Sequence, residues 1–296
     1  MIEIRNLTKY YGKSRGVIDL NLSIESGEIF GFIGPNGAGK STTIRLLLSL
    51  IYPTNGTAII NGMDCFRDSK NVKRILGYVP SEVNYYGDMK VSDLLLYSSR
   101  FYGKPHVQKI ANLSNRLGLD TDKIITTLSY GNKKKVAIIQ ALLHEPEVLI
   151  FDEPTSGLDP LVQNTFFEIL KEEKNRGATI LFSSHVLSEV QKICDRIAII
   201  KEGKLIKIEQ VDSLKKNQFR QVRIYYRNSV KDTSYESLQV KNLTVEDNSI
   251  SFIYTGEIQA LLKQLSRDEE IDNVSIEEPA LEDVFLHYYS EGGETR

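Results

Sequence analysis

Nine consecutive residues, Gly34-Pro35-Asn36-Gly37-Ala38-Gly39-Lys40-Ser41-Thr42, have the composition and spacing that hold nucleotide phosphates. Glycines let successive backbone N–H groups converge on an anion, and a helix beginning at the end of the loop adds its positive dipole end at the same point. Lys40 can then reach the terminal phosphates, and the Ser41 hydroxyl can ligate a magnesium ion. The loop lies between Ile29-Phe30-Gly31-Phe32-Ile33, short and apolar like a buried strand, and Thr42 to Leu48, which has helical spacing. This strand-to-helix setting is the one such a loop requires.

A second constellation lies at Val148-Leu149-Ile150-Phe151-Asp152-Glu153, a buried-strand pattern that ends in adjacent carboxylates. Open α/β sheets bind ligands at the carboxyl ends of their strands. Asp152 is placed to hold magnesium, and Glu153, which alternation turns the other way, to orient or deprotonate water. Another buried strand, Ala178 to Ser183, ends at Ser184-His185, where the imidazole can meet a γ-phosphate or the attacking water. Between these segments, Ser129-Tyr130-Gly131 opens a helical run at Val136 to Leu143, with Ser129 as a plausible N-cap and a weaker anion cradle.

The elements that carry these groups belong to a chain of 296 residues with net charge −2. That length suggests one large and one small domain, and the balance of charge gives no basic excess for nucleic acid. Apolar runs such as Ile44–Tyr52 fall short of the roughly 20 residues of a spanning helix, so the chain is not expected to cross a bilayer. Cys65 and Cys194 lie far apart in a chain that opens without a charged-then-apolar leader, so both are expected as reduced, buried cytoplasmic thiols.

Together these segments resemble the ATP-binding subunit of ATP-binding-cassette (ABC) transporters over about residues 1–210, in the family's motif order. Residues 34–42 match the Walker A loop, Val148–Glu153 the Walker B strand with its catalytic glutamate, Ser156-Gly157-Leu158-Asp159 the D-loop, and His185 the switch histidine. Tyr11 matches the aromatic that stacks on adenine. The resemblance implies an α/β P-loop NTPase cassette at 1–218, with a RecA-like core, an antiparallel β subdomain and a helical subdomain at about 81–143. It implies ATP and Mg2+ as cofactors. Catalysis would fall to Glu153, His185 and Lys40, and metal binding to Ser41 and Asp152. Nucleotide contacts would come from Tyr11, Gly34, Asn36, Gly37, Ala38, Gly39, Lys40, Ser41, Thr42, Ser129, Gly131 and Asp159. Two cassettes, identical or related, would sandwich the nucleotides head to tail beneath a transmembrane permease on a separate chain, at the cytoplasmic face of a bacterial membrane.

Two positions depart from the family. Residues 128–132 match the signature Leu-Ser-Gly-Gly-Gln with Tyr130 for the first glycine and Asn132 for glutamine, which adds bulk where backbone meets phosphate. After Tyr78-Val79-Pro80 stands Ser81-Glu82, where the family has a glutamine. Either Glu82 ligates the metal, or Ser41, Asp152 and water suffice; the second is favoured. In the family the helical subdomain receives a permease helix, and Tyr85, Tyr86 and Met89 are candidate contacts.

The region 219–296 reads as a small α+β accessory domain: strands at Val222–Tyr226, Ser249–Tyr254 and Val274–Glu277, helices at Glu257–Arg267 and Leu281–Tyr289. It is expected to be too small for a stable core of its own. Its ending, Pro279 to Phe285, resembles the accessory domain of ABC-2-type exporter ATPases for drugs and antimicrobial peptides. The alternatives are an importer ATPase with a ligand-sensing C-terminal domain, which a small-molecule pocket in residues 219–289 would favour, and a soluble cassette protein.

Overall fold

The computed structural model describes residues 1–85, 87–103, 106–216, 220–228, 240–268 and 270–277. Two compact units divide between Glu209 and Gln210. In the first, β1 (Ile2–Tyr11) and β2 (Ser14–Ile24) form a hairpin, and β3 (Ile29–Ile33) runs through the glycine loop into α1 (Lys40–Leu47). Then come β4 (Asn55–Ile60), β5 (Met63–Asp64), α2 (Ser69–Arg74) and β6 (Leu76–Val79). Three helices follow: α3 (Val91–Arg100), α4 (Val107–Arg116) and α5 (Tyr130–Leu142). The chain continues through β7 (Val148–Asp152), α6 (Pro160–Asn175), β8 (Thr179–Ser184), α7 (Leu187–Ile193), β9 (Arg196–Lys201) and β10 (Lys204–Gln210).

Two sheets result. The antiparallel one has the order β2-β1-β4-β5; the other, β10-β9-β3-β8-β7-β6, is parallel from β9 to β6. Alternation explains the first: Ile2, Ile4 and Leu7 face inward while Arg5 and Asn6 face water. Continuous apolar runs explain the second, since β3 and β7 are buried along their whole length, as strands covered on both faces must be. Side chains of both sheets and of α1 share one core, including Leu20, Phe30, Phe32, Ile44, Leu47, Ile150 and Leu181. Burying a set this size supplies the main stabilisation of the unit, at about 25 cal/mol per Å² of apolar surface.

The second unit contains α8 (Val211–Lys216), β11 (Arg220–Tyr226), β12 (Val240–Glu246), β13 (Ser249–Tyr254), α9 (Ile258–Leu265) and β14 (Ile271–Glu277). Its antiparallel sheet has the order β12-β13-β11-β14. Contrary to expectation it has a core of its own: Val222, Ile224 and Tyr226 meet Ile250, Phe252 and Tyr254 under Leu261 and Leu265. Sequence reasoning missed the size of this cluster because β12 was not foreseen and β14 is longer at its start than expected. The helix expected at Leu281–Tyr289 and the exporter-like ending lie outside the described residues.

Candidate functional site

The carboxyl ends of three neighbouring strands bring the predicted groups together. Ile33 of β3 is level with Ser184 of β8, and Asp152 of β7 with Ser183 of β8. The glycine loop, Ser184-His185 and Asp152-Glu153 therefore leave the sheet side by side. Gly39 needs to be glycine: its φ is +112°, and a Cβ there would lie 2.9 Å from Val17 Cγ1 and 3.0 Å from the Gly16 carbonyl. The loop is tied down where the Gly203 N–H donates to the Ala38 carbonyl at 2.8 Å.

Lys40 is buried, with Nζ 2.6 Å from the Gly34 carbonyl oxygen, 3.3 Å from that of Pro35 and 3.4 Å from Glu153 Oε1. His185 Nδ1 approaches the same Oε1 at 3.3 Å from a half-exposed ring. Glu153 itself has φ +48°, a left-handed conformation unusual for its type, held by its N–H donating to the Ser183 carbonyl and hydroxyl, each at 3.2 Å. The Ser183 hydroxyl donates to Asp152 Oδ1 at 2.7 Å, which fixes that buried carboxylate. Ser183 was not singled out from the sequence, although its place one residue before Ser184-His185 on the adjacent strand was a usable signal.

The other predicted positions surround this cluster in several ways. Ser41 and Thr42 are half-buried at the start of α1, and Asn36 and Gly37 are exposed at the loop tip. Tyr11 is exposed, yet a Cβ on Gly16 would meet both Tyr11 Cε2 at 3.1 Å and Thr42 Cγ2 at 3.0 Å, which sets the ring beside the loop's end. Asp159 caps α6 by accepting from the Val162 N–H at 3.0 Å, ahead of Pro160. Ser129 caps α5, accepting from the Asn132 N–H. Gly131 lies against the D-loop, where a Cβ would come 2.4 Å from the Gly157 carbonyl oxygen; any other residue would push α5 away.

Tyr130, the departure in the signature, is turned back on its own chain. Its ring covers Gly157, and its hydroxyl donates to the Ser81 carbonyl at 2.8 Å. Below it, Lys134 is fully buried and donates to the carbonyls of Pro80 at 2.9 Å, Ser81 at 2.6 Å and Glu153 at 3.3 Å. Burial pushes its ammonium down to about 8, against the upward pull of Asp152 and Glu153. Glu82 is exposed. Among the described residues no three His, Cys, Asp or Glu side chains cluster as a metal site; the groups at these strand and loop ends that could meet a cation are the buried Asp152 carboxylate and the half-buried Ser41 hydroxyl. That donor set suits magnesium, which takes one or two protein ligands and completes its shell with phosphate oxygens and water.

Tyr85, expected as a docking contact, instead packs inward, its hydroxyl donating to Gln140 Oε1 of α5 at 2.5 Å, and Met89 is exposed. Tyr86 lies outside the described residues. An apolar groove of about 480 Å³ opens close by, lined by Leu50, Tyr78, Phe101, Tyr102 and His144, with the Tyr102 and His144 rings stacked at 3.6 Å. In the second unit, an open groove of about 440 Å³ runs over β11 and β14 between Arg223, Tyr225, Asp272 and Glu277. Small-molecule sites are mostly apolar and enclosing, and this surface is charged and open, so it does not carry the ligand-sensing alternative.

The ABC transporter family model matches residues 17–156. The bacitracin transport ATP-binding protein BcrA of Bacillus licheniformis is 34% identical over 295 residues, spanning 97% of this chain and 96% of that protein. The solved ATP-binding subunit of an ABC transporter superposes with a TM-score of 0.67 at 30% identity, over 73% of this chain and 92% of that one. The ATP-binding cassette MJ0796, solved as a post-hydrolysis dimer bound to ADP and Pi, shares the fold at 23% identity, with a TM-score of 0.65 over 71% of this chain and 99% of that one. The chain belongs to the ABC transporter family, as an ATP-binding, ATP-hydrolysing subunit.

Proposed function

We propose that this subunit drives a bacterial exporter of amphipathic peptide or drug-like cargo, using MgATP held between two cassettes. The convergence of Lys40, Glu153 and His185 at the level ends of β3, β7 and β8 carries the hydrolytic part of this reading. Similarity to a bacitracin transport protein along 97% of the chain supports the cargo class.

In this reading, nucleotide phosphates enter the glycine loop and meet the N–H groups of Gly37, Ala38, Gly39 and Lys40 together with the dipole of α1. The Lys40 ammonium, already aimed into the loop by the Gly34 and Pro35 carbonyls, exchanges its carboxylate contact for phosphate oxygens and stabilises the charge that grows there. Released from Lys40, the Glu153 carboxylate orients and deprotonates water, while His185 Nδ1 keeps that carboxylate in place. Asp152, oriented by the Ser183 bond to Oδ1, and Ser41 would hold magnesium, whose charge would help neutralise the phosphates. Ser129 and Gly131 close on the nucleotide of the opposite cassette, and the ring of Tyr130, folded against Gly157, leaves that approach open.

The groove at Leu50, Phe101 and Tyr102 is where a short helix of the permease docks, with exposed aromatics against a wall formed by β6 and α5. Among the described residues no helix is long and apolar enough to cross a membrane, so attachment to the cytoplasmic face rests on that partner. The test is ATPase activity and native mass of the protein alone and with the membrane protein encoded beside it, with Glu153→Gln as control. Activity that rises in a two-plus-two assembly and falls at least about 100-fold in Glu153→Gln is expected; wild-type turnover in that variant would sink the assignment.

A further inference from the structure

Lys134 has no part in the chemistry described so far, yet it is among the largest side chains with no exposed surface. An ammonium has three N–H donors, and here all three are spent on main-chain carbonyls: Pro80 and Ser81 beyond the end of β6, and Glu153 beyond the end of β7. No carboxylate lies within ion-pair distance of Nζ among the described residues; Asp152 and Glu153 act on it only at longer range. Burying a cation without a direct counter-ion is expensive, and an apolar side chain would fill the same volume without that penalty. Its distinctive effect is on the three carbonyls. One of them belongs to a residue held at φ +48°, whose side chain reaches Lys40 and His185.

We infer that Lys134 is a positioning residue for ATP hydrolysis, which fixes the main chain of Glu153 and so the aim of its carboxylate, and locks the segment after β6 to the same point. The inference rests on the proposed role of Glu153 as the group that activates water. It also gives the Ser81-Glu82 departure a physical meaning. Where the resembled family has a glutamine side chain facing the nucleotide, this chain has main-chain carbonyls of the same segment gripped from α5. Because Ser129 caps α5 and Gly131 lies in its first turn, a shift of that turn is transmitted through one side chain to Glu153.

The experiment compares Lys134→Met, Lys134→Gln, Glu153→Gln and the double variant Lys134→Met/Glu153→Gln in the assembled transporter. Steady-state ATPase kinetics, binding of trinitrophenyl-ATP and thermal unfolding are measured on each. Lys134→Met is expected to lower kcat at least about 10-fold per folded molecule with KM and trinitrophenyl-ATP affinity within about twofold, since small misplacement of a reacting group is enough for such a loss. Lys134→Gln, which keeps two donors, recovers part of kcat and carries the comparison where the methionine variant fails to fold. The double variant turns over no more slowly than Glu153→Gln alone, because a residue acting through Glu153 has nothing left to position. Wild-type kcat in folded Lys134→Met or Lys134→Gln, additive losses in the double variant, or a loss confined to nucleotide affinity would each overturn the inference. Wild-type turnover in Glu153→Gln would instead remove the reading on which it rests.

Discussion

Glu153 is gripped by two buried lysines from opposite ends, and the two differ in what their other partners can become. Lys40 in the glycine loop contacts the carboxylate of Glu153 and two carbonyls, Gly34 and Pro35. Lys134 on α5 contacts the carbonyl of Glu153 and two others, Pro80 and Ser81. The carboxylate contact is exchangeable for another anion, and the loop that surrounds Lys40 is built to admit one. Carbonyls of the main chain cannot be exchanged, so the second cage is closed. The same residue type thus serves as a substrate-binding charge in one place and as a fastener in the other. Burial alone would not separate the two; the nature of the partners does.

By that contrast, the two lysines fail differently. Lys40→Met should abolish most turnover, at least about 10²–10³-fold, since it removes a charge that acts where charge develops. Its unfolding free energy should move by about 1 kcal/mol, because it releases two carbonyls, that of Gly34 buried and that of Pro35 half-buried. Lys134→Met should show the larger thermodynamic effect, about 2 kcal/mol by urea denaturation, because three partly buried carbonyls lose their donor at once. Equal losses of stability in the two variants would erase the distinction between an exchangeable cage and a closed one.

The contrast also shows what was legible before the structure. Lys40, Asp152, Glu153 and His185 could be found because each sits at a fixed offset from a glycine loop or a strand end, and strand ends in a parallel sheet converge by topology. Lys134 reads as one of three consecutive lysines, Lys133-Lys134-Lys135, the pattern of a solvated helix face. Yet it shares a helical stripe with Ile138 and Ala141, both buried, and that periodicity was available. Tyr85 misled in the opposite direction: an aromatic in a polar stretch resembled a docking contact until Gln140, 55 residues away, proved to be its partner. In the second unit, β12 carries Leu243 and Val245 exposed, so its sequence lacks the buried alternation by which strands are recognised. What escaped the sequence throughout is long-range pairing, which no local period encodes.

A smaller effect sharpens the same comparison through pH. Lys134 titrates at about 8 in the folded protein against an ordinary 10.5, so between those values the unfolded chain binds more protons than the native one. Stability attributable to this residue must therefore rise as pH increases across that window, by on the order of 1–3 kcal/mol, and stay flat below it. The measurement is urea unfolding of the wild type and Lys134→Met at pH 7.5 and pH 10, with the difference between them as the readout. A difference that fell as pH rose would mean that the cage favours the charged lysine, and that burial is not what governs it.

The smallest effect concerns Tyr130, which shares the Ser81 carbonyl with Lys134. Tyr130→Phe removes one hydroxyl and its 2.8 Å bond while leaving the ring over Gly157 and within 5.6 Å of the Lys134 ammonium. Ser81 keeps its 2.6 Å bond from Lys134, so its carbonyl is not orphaned. The hydroxyl is on a ring that is 43% exposed, where water replaces much of what the bond supplies. The variant should therefore lose about 0.5–1 kcal/mol of stability and keep turnover within about twofold. A loss of turnover as large as that of Lys134→Met would make the phenol, and not the ammonium, the anchor of the segment after β6. The closed cage would then be a consequence of where Tyr130 holds Ser81, and the signature departure itself would be the feature that sets Glu153.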